Sequence, residues 1–556
     1  MTRRDTHNEQ RRDFLKAAAG LGIVVPIAGC GSPDDPDDGS DPNGMGDDDS
    51  DDPFAGDLRE MVLMGAGEIG TIDPAEHQII QTTVQSINFY DPLVWIDPDD
   101  FSVMENVATD WDVEDGGTRW TFELRDDIEF HSGNQLTAED VAYSMDRQLE
   151  LSTGYASLWG DFLDPGDTEV VDEYTVEFNL NSPFGIFLES LVRLMIVDSE
   201  VVQDNEEGGD FGNEFLSRDE AGSGPYTLNE WDQPNNEIVW DAFDGYWKGW
   251  NDNHFERVTW KFVAEVSTII SMMQSGQAHM DHMFLSNDAK ETMAESDVVE
   301  VVQEPAADLF HMPMHTRKEP LDDPKVREAI TYAFDHQTAV EDILQAEPAR
   351  GPVPPSLPGH NDTIEPFEQD MDRAMAALDD ADYSVDEINE IGIELSYDPG
   401  VPTNEQIGLL LNQNLEQLGI EELSLSPEQY PALVDRLSSE DSSPAMYTTF
   451  NPPTIGSPYD FLNSVYHPSA FGTFRGGSWY APDDVVDLLE SAAGAATPEE
   501  ADEYFADAQE LIVEGFPSVY VAQNPITYAM NTRIGGWTFR SLMGFDVYPN
   551  DMYLQE

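Results

Sequence analysis

The sequence predicts a large α/β protein with about two or three domains. Beyond residue 57, segments with the alternating pattern of a β-strand take turns with segments that carry the start signals and spacing of an α-helix. The chain has 556 residues, of which 40% are hydrophobic and 10% aromatic, so it can form more than one apolar core.

The clearest elements are one strand and three helix starts. Residues 118–125, TRWTFELR, place apolar side chains at every second position, as a strand does. Thr137 and Asp140 form a capping-box pattern that predicts the start of a helix. Asp-Pro at 323–324 and Thr-Pro at 497–498 predict two further helix starts. After the first of them, the apolar residues of one helix face continue as far as Phe334.

The composition is strongly acidic, with 112 Asp and Glu residues against 25 Lys and Arg residues and a formal net charge of -87. Such a charge repels nucleic acid and anionic lipid. Self-repulsion is weakened where salt shortens the Debye length to about 3 Å at 1 M. Because the acids are spread along the chain and not gathered into one patch for a cationic partner, we expect adaptation to a very salty medium.

The N-terminus resembles an export signal. Arg11 and Arg12 precede an apolar stretch, residues 17–28, that is too short to span a bilayer comfortably, and IAGC ends at Cys30. This pattern is similar to a twin-arginine signal with a lipoprotein box. Residues 1–29 are therefore expected to be removed and Cys30, the only cysteine in the chain, to be lipidated. Stable attachment would need a diacyl modification.

Residues 30–56 are predicted to form an acidic, disordered tether. Within them, residues 31–53 are almost wholly Asp, Gly, Pro and Ser, a composition that cannot form an apolar core. We expect a folded body held by this tether at the extracellular face of the cell membrane.

The sequence contains no convincing catalytic or cofactor-binding motif. It has no H-E-x-x-H, no G-x-S-x-G and no P-loop. GAGEIG, residues 65–70, matches the dinucleotide-binding pattern, but Pro74 would interrupt the helix that must bind the pyrophosphate. Ser223, between two glycines, is expected in a turn. We predict that the protein is not an enzyme and uses no cofactor.

Long stretches of the chain resemble the family 5 extracellular solute-binding proteins, which are the peptide, dipeptide and nickel receptors of ABC importers. The signature region spans residues 87–148, from INFYDPLVWIDPDD to TAEDVAYSMDRQ. Further matches follow in family order: TIDP (71–74), GSGPYTL (222–228), FDGYWKG (243–249), SMMQSGQAHM (271–280), EPLDDPKVREAITYAFDHQ (319–337), RAMAALDDADY (373–383) and FPSVYVAQNPITYAMNTRIGGW (516–537).

The resemblance implies a two-lobed periplasmic-binding-protein-like fold with a hinge and an extra inserted domain, the class II arrangement of three domains. Residues 57–90, 215–305 and 519–556 would form the first lobe, residues 91–214 the inserted domain, and residues 306–518 the second lobe. The two chain crossings between the lobes would form the hinge that closes over the ligand.

The resemblance also implies a function. The protein would be a monomeric, lipid-anchored receptor that captures peptides or a related organic solute and delivers them to an ABC permease with its ATPase. Three alternatives remain open: a receptor for nickel, copper or a metal chelate, a secreted hydrolase, and a sensor that reports ligand occupancy to a membrane kinase.

The resemblance places parts of three segments at the ligand cleft. Many peptide receptors of the family carry an acid, in the segment equivalent to residues 448–462, that pairs with the amine of the peptide. Thr454 and Ser457 stand at the two acidic positions, so an amine clamp would have to come from Asp460 or from a slipped loop. The expected ligand-binding residues in these segments are Gln78, Ile79, Gln81, Tyr155, Trp159, Phe450, Thr454, Ser457 and Asp460.

Two short segments, HMDHM (279–283) and HMPMH (311–315), are rich in histidine and methionine. Methionine adapts to ligands of varied shape and histidine can donate hydrogen bonds, so a pocket wall is the first interpretation. Imidazole and thioether also suit copper or nickel. His311 and His315 would be roughly 13 Å apart in an extended strand, so a metal site would have to combine both segments. Simple packing is the third interpretation. The residues assigned to the wall, and to the alternative metal site, are His282, Met283, His311 and Met312.

Overall fold

The computed structural model describes residues 59–65, 69–77, 79–282, 285–495 and 497–555. The predicted signal, the lipidation site Cys30 and the tether lie outside the described residues. The strands are β1 Glu60–Gly65, β2 Trp95–Ile96, β3 Val103–Met104, β4 Ala108–Glu114, β5 Arg119–Leu124, β6 Thr168–Asp172, β7 Thr175–Asn179, β8 Tyr226–Asp232, β9 Glu237–Ala242, β10 Arg257–Phe262, β11 Met280–His282, β12 Val299–Pro313, β13 Glu347–Pro348, β14 Ile393–Tyr397, β15 Leu423–Pro427, β16 Met446–Tyr447, β17 Thr449–Asn451, β18 Ser518–Asn531, β19 Ile534–Gly535 and β20 Tyr553–Leu554.

The helices alternate with these strands along the chain. They are α1 Ile80–Phe89, α2 Ala138–Leu151, α3 Phe187–Ser190, α4 Ser199–Asp204, α5 Asn213–Leu216, α6 Val266–Gln274, α7 Asn287–Met293, α8 Pro324–Ala333, α9 His336–Thr338, α10 Met371–Asp379, α11 Val385–Ile391, α12 Pro402–Glu416, α13 Tyr430–Leu437, α14 Pro458–Tyr466, α15 Asp483–Ala493 and α16 Pro498–Glu514. Within the described residues, no helix is both long enough and apolar enough to cross a membrane.

The helix starts predicted from the sequence are confirmed. Before α2, the Thr137 backbone N–H donates to Asp140 Oδ2 at 2.9 Å. Before α8, Asp323 Oδ1 accepts from the Lys325 N–H at 2.7 Å, and before α16 Thr497 Oγ1 accepts a first-turn N–H at 3.3 Å. These bonds satisfy backbone groups that have no partner inside the helix, which is why such short sequence signals are informative.

The helix that begins at Pro324 is shorter than its apolar pattern suggests. It ends at Ala333, and the Asp335 carboxylate then accepts the Thr338 N–H at 3.0 Å to start α9. The chain continues as a π-helical turn, Ala339–Leu344. The local cap at Asp335 therefore overrides the continuing periodicity.

In the part of the chain that the structure describes, nine strands form the main mixed sheet. Its order is β17-β12-β18-β11-β1-β10-β9-β8, with β13 beside β18. β1 pairs in parallel with β10 and β11. The long strands β12 and β18 pair antiparallel from end to end, with a register shift between Pro305 and Asp308. After β1, Pro74–Glu76 forms a single 3-10 turn, so the long helix required by a dinucleotide-binding motif does not follow the glycines.

Two smaller sheets carry the other parts of the molecule. β4, β5, β7 and β6 form an antiparallel sheet, in that order, and β15, β14 and β16 form a parallel one. One apolar core joins the main sheet to the antiparallel sheet and to residues of α14, α15 and α16. A second core surrounds β14, α8 and α12. The α/β prediction is therefore confirmed.

The GSGPY segment is a tight turn against the end of α1. A Cβ atom on Gly222 would lie 1.8 Å from the Phe89 carbonyl oxygen, so no larger residue fits there without moving the backbone. The Ser223 hydroxyl donates to Asp91 Oδ2 at 3.0 Å. The predicted turn thus fixes the end of α1 to the start of β8, and the Ser223 hydroxyl has a structural partner.

Candidate functional site

Segments predicted to line the cleft meet around Arg193, a residue that the sequence analysis did not select. Its Nε donates to the Thr454 carbonyl oxygen at 2.5 Å, and its Nη1 donates to the Met543 carbonyl oxygen at 3.2 Å. The guanidinium carbon lies 5.0 Å from the ring centre of Tyr155 and 4.7 Å from that of Phe545. One buried cation therefore joins segments that are far apart in the sequence.

The Asp460 carboxylate already has hydrogen-bond and ion-pair partners in the protein. Its carboxylate accepts the Thr454 N–H at 2.6 Å, the Thr454 hydroxyl at 2.7 Å and Arg475 Nη1 at 2.9 Å. The Ser457 hydroxyl oxygen accepts the Tyr459 N–H at 3.3 Å at the start of α14. Asp460 neutralises Arg475 in this arrangement, so a ligand amine would have to compete with that ion pair.

His77 lies beside Tyr155, with the two ring centres 4.8 Å apart in an edge-to-face arrangement. The side chain is fully buried, and neither ring nitrogen has a hydrogen-bond partner among the described residues. Burial, and then the charge of Arg193, hold the pKa of His77 well below its usual value. The ring is therefore neutral and offers one donor and one acceptor.

Asp308 lies at the register shift in β12, opposite Asn524 of β18. Burial raises its pKa to about 7, although the nearby Arg475 acts in the opposite direction. One of its carboxylate oxygens has no hydrogen-bond partner within the described part of the chain. Buried polar groups are normally hydrogen-bonded, so their concentration here marks the candidate ligand site. We call it the Arg193 cluster: His77, Tyr155, Arg193, Asp308, Thr454, Asp460 and Arg475.

The HMPMH segment is built into the fold. His311 Nδ1 lies 2.9 Å from Ser518 Oγ, and its Nε2 lies 2.9 Å from Asn451 Nδ2. Burial, and then Arg475, lower the pKa of His311 to about 3. Met312 is fully buried in the second core. Since both His311 nitrogens have protein partners, this histidine offers no lone pair to a metal in this arrangement. The role of the segment as a pocket wall stays a prediction.

The other two residues of the alternative metal site belong to the HMDHM segment. His282 ends β11, but its side chain, Met283 and also Gln78 lie outside what the structure describes. Within the described residues, no group of three or more His, Cys, Asp or Glu side chains is placed to hold a metal ion.

The remaining predicted cleft residues have mixed surroundings. Trp159 is fully buried and its indole N–H donates to Ser190 Oγ at 2.8 Å, the arrangement of a core residue. Phe450 packs against the second core. Ile79 and Gln81 lie at the start of α1, and Ile79 is 46% exposed. Only Tyr155, Thr454 and Asp460 are brought together in the Arg193 cluster, and Ser457 lies in the same loop as the last two.

Sequence reasoning missed the two arginines and His77. Arg193 was detectable in principle, because a single cation stands inside the apolar stretch SLVRLMIVD and a charge in such a run is rarely buried without a partner. Arg475 lies among glycines and gave no comparable signal. His77 directly precedes the predicted Gln78.

Comparison with known proteins identifies the class. The family model described as "Bacterial extracellular solute-binding proteins, family 5 Middle" matches residues 102–473. The probable D,D-dipeptide-binding periplasmic protein DdpA of Escherichia coli (strain K12) is 26% identical over 496 residues, which are 87% of this chain and 92% of the relative. The glutathione-binding protein GsiB of Salmonella typhi is 25% identical over 506 residues, 89% of this chain and 94% of the relative.

Solved structures show the same architecture. The periplasmic binding protein DppA of Helicobacter pylori, in complex with the peptide STSA, matches with a TM-score of 0.75 at 23% identity, over 89% of this chain and 98% of that chain. The fold is thus the two-lobed α/β fold of class II solute-binding proteins, as predicted. The chain belongs to the bacterial extracellular solute-binding proteins of family 5.

Proposed function

We propose that this chain is the receptor of an ABC importer and captures peptides or a related organic solute for a membrane permease. The Arg193 cluster carries the proposal, because it buries polar groups that have no hydrogen-bond partner among the described residues, at a place where distant segments meet. A peptide offers alternating donors and acceptors that can satisfy such groups. The names of the dipeptide-binding and glutathione-binding relatives support this solute class. The proposed role is binding and delivery, without catalysis.

The domain map follows as part of the proposal. Residues 57–90, 215–305 and 519–556 form the first lobe, 91–214 the inserted domain and 306–518 the second lobe. Support comes from β12 and β18, the long paired strands that pass close to both proposed crossings, and from the register shift at Pro305–Asp308. A bulge of this kind bends a strand and weakens its pairing, which suits a hinge.

We expect the purified protein to bind a peptide with 1:1 stoichiometry and to become more compact, since ligand-driven lobe closure lowers the radius of gyration. The mature chain would be incubated with a pool of di- to tetrapeptides in high salt and separated from free peptide by gel filtration. Mass spectrometry identifies the retained peptides, titration calorimetry gives their affinity, and small-angle scattering measures compaction. Elemental analysis of the same sample tests the metal alternative.

Two outcomes of that experiment would contradict the peptide proposal. The first is a folded protein that retains no peptide and keeps the same radius of gyration. The second is near-stoichiometric nickel or copper without peptide, which would favour the metal receptor.

We further propose export through the twin-arginine pattern at Arg11 and Arg12, lipidation at Cys30 and residence at the extracellular face of the membrane as a monomer. The support is the spacing of the signal, the single cysteine and the acidic residues 30–56. Mass spectrometry of the N-terminal peptide from the membrane fraction tests the anchor, because an unmodified Cys30 there would exclude it.

A further inference from the structure

Among the residues that the structure describes, the charge of Arg193 has no carboxylate partner. Its side chain is 1% exposed, and no acid among the described residues forms an ion pair with it. The charge of the Asp460 carboxylate acts on Arg193, but Asp460 forms its ion pair with Arg475 at 2.9 Å. Arg193 Nη2 has no hydrogen-bond partner in the described chain. A buried cation without a counter-ion is strongly unfavourable, so this site favours a ligand that brings a negative charge.

Two other buried arginines have side chains that are fully satisfied by protein groups. Arg147 forms a two-pronged ion pair with Asp73. Arg327 has no paired acid in the described part of the chain, but all its side-chain nitrogens donate to carbonyl oxygens, including those of Gly515 and Phe516 at the C-terminal end of α16. That end carries partial negative charge. Arg193 has neither arrangement, because two of its nitrogens reach carbonyls and the third is unpaired.

The position of Arg193 makes it accessible to a solute when the lobes part. In the proposed domain map, Arg193 belongs to the inserted domain and Thr454 to the second lobe, so the 2.5 Å bond from Nε to the Thr454 carbonyl crosses between them. On this map, lobe separation would break that bond and free the Nε donor for a solute. The ring of His77 beside it is neutral, and the charges of Asp460 and Arg475 offset each other in their ion pair.

We infer that the solute presents a carboxylate, and no ammonium group, to the end of the cleft formed by Arg193 and the Thr454 loop. This inference rests on the proposed function and specifies the charge of its ligand. Guanidinium binds carboxylate through charge-assisted hydrogen bonds, about twice as strong as neutral ones. The two acidic loop positions that would attract an amine hold Thr454 and Ser457 instead.

The test compares two matched tripeptides in titration calorimetry at high salt. N-acetyl-Ala-Leu-Ala carries only a carboxylate, and Ala-Leu-Ala amide carries only an ammonium group. We expect the acid to bind about tenfold more tightly or better, the scale of one hydrogen bond to a charged group. We expect Arg193→Gln to abolish the preference. The net charge of -87 would by itself favour the cationic amide, so a preference for the acid points to a local cation.

Arg327→Gln is the matched control, because it removes a buried arginine of the second lobe and should keep the preference while lowering the unfolding midpoint. Equal or tighter binding of the amide by the wild-type protein overturns the inference, whether or not Arg193→Gln folds. Unmodified Ala-Leu-Ala distinguishes a failure of this inference from a failure of the proposed peptide-receptor function. If it binds and the acid shows no advantage, the inference fails and the peptide receptor stands. If none of the three peptides binds the folded protein and the peptide pool also fails, the proposed function falls.

Discussion

Replacing Arg147 with methionine is expected to lower the free energy of unfolding by about 3–5 kcal/mol, the usual cost of leaving a buried charge without its partner. Arg147 Nη1 and Nη2 donate to the two Asp73 carboxylate oxygens at 2.9 and 2.5 Å, and both side chains are almost fully buried. The pair ties α2 to the turn before α1. Urea unfolding at constant high salt measures the loss.

Two further variants distinguish the stability cost of an unpaired buried charge from the cost of lost side-chain packing. Adding Asp73→Leu to Arg147→Met should recover part of the stability, because no unpaired carboxylate is then left inside. Arg119→Met removes an arginine whose side chain is 35% exposed and which pairs with Glu114. It should cost far less stability than Arg147→Met, because exposed ion pairs are screened by solvent. Equal losses for Arg147→Met and Arg119→Met would contradict the importance of the buried pair.

Diluting the salt is expected to have the second large effect. With a net charge of -87, the folded chain repels itself, and the Debye length grows from about 3 Å at 1 M salt to about 10 Å at 0.1 M. We expect the thermal unfolding midpoint to fall by roughly 10 °C or more over that range, equivalent to about 10 kcal/mol for a chain of this size. Circular dichroism across a sodium chloride series measures the shift.

Sucrose distinguishes charge screening from general exclusion of cosolvent from the surface. Sucrose stabilises folded proteins without screening charge, so sucrose at matched osmolarity should restore only part of the midpoint lost at low salt. A midpoint that does not change between 1 M and 0.1 M salt would count against adaptation to a salty medium.

Short sequence motifs predicted the helix starts correctly where the stabilising hydrogen bonds join residues that are close in the sequence. The helices after Thr137, Asp323 and Thr497 begin where the sequence indicated, because each cap joins atoms only two or three residues apart. The same reasoning explains the one clear departure. The periodic pattern after Pro324 continues past Ala333, but the side chain of Asp335 starts a new turn there.

The candidate site was predictable only in part. Tyr155, Thr454 and Asp460 were selected through the family resemblance, and the structure brings them together. The histidines and methionines of HMPMH were conspicuous in the sequence, yet His311 is held between Ser518 and Asn451. The unusual composition drew attention to HMPMH, but composition does not determine which atoms of a segment face the ligand.

The sequence by itself determined the family, the two-lobed α/β fold and the acidic character of the chain, since long motifs, periodicity and charge are properties of residue order. The tertiary structure decided how the charges are paired: Asp460 with Arg475, Arg147 with Asp73, and Arg193 with no acid among the described residues. The energy of a buried charge depends on the atoms around it. For Arg193 these atoms come from residues as far as 350 positions away along the chain, so no local pattern could reveal it.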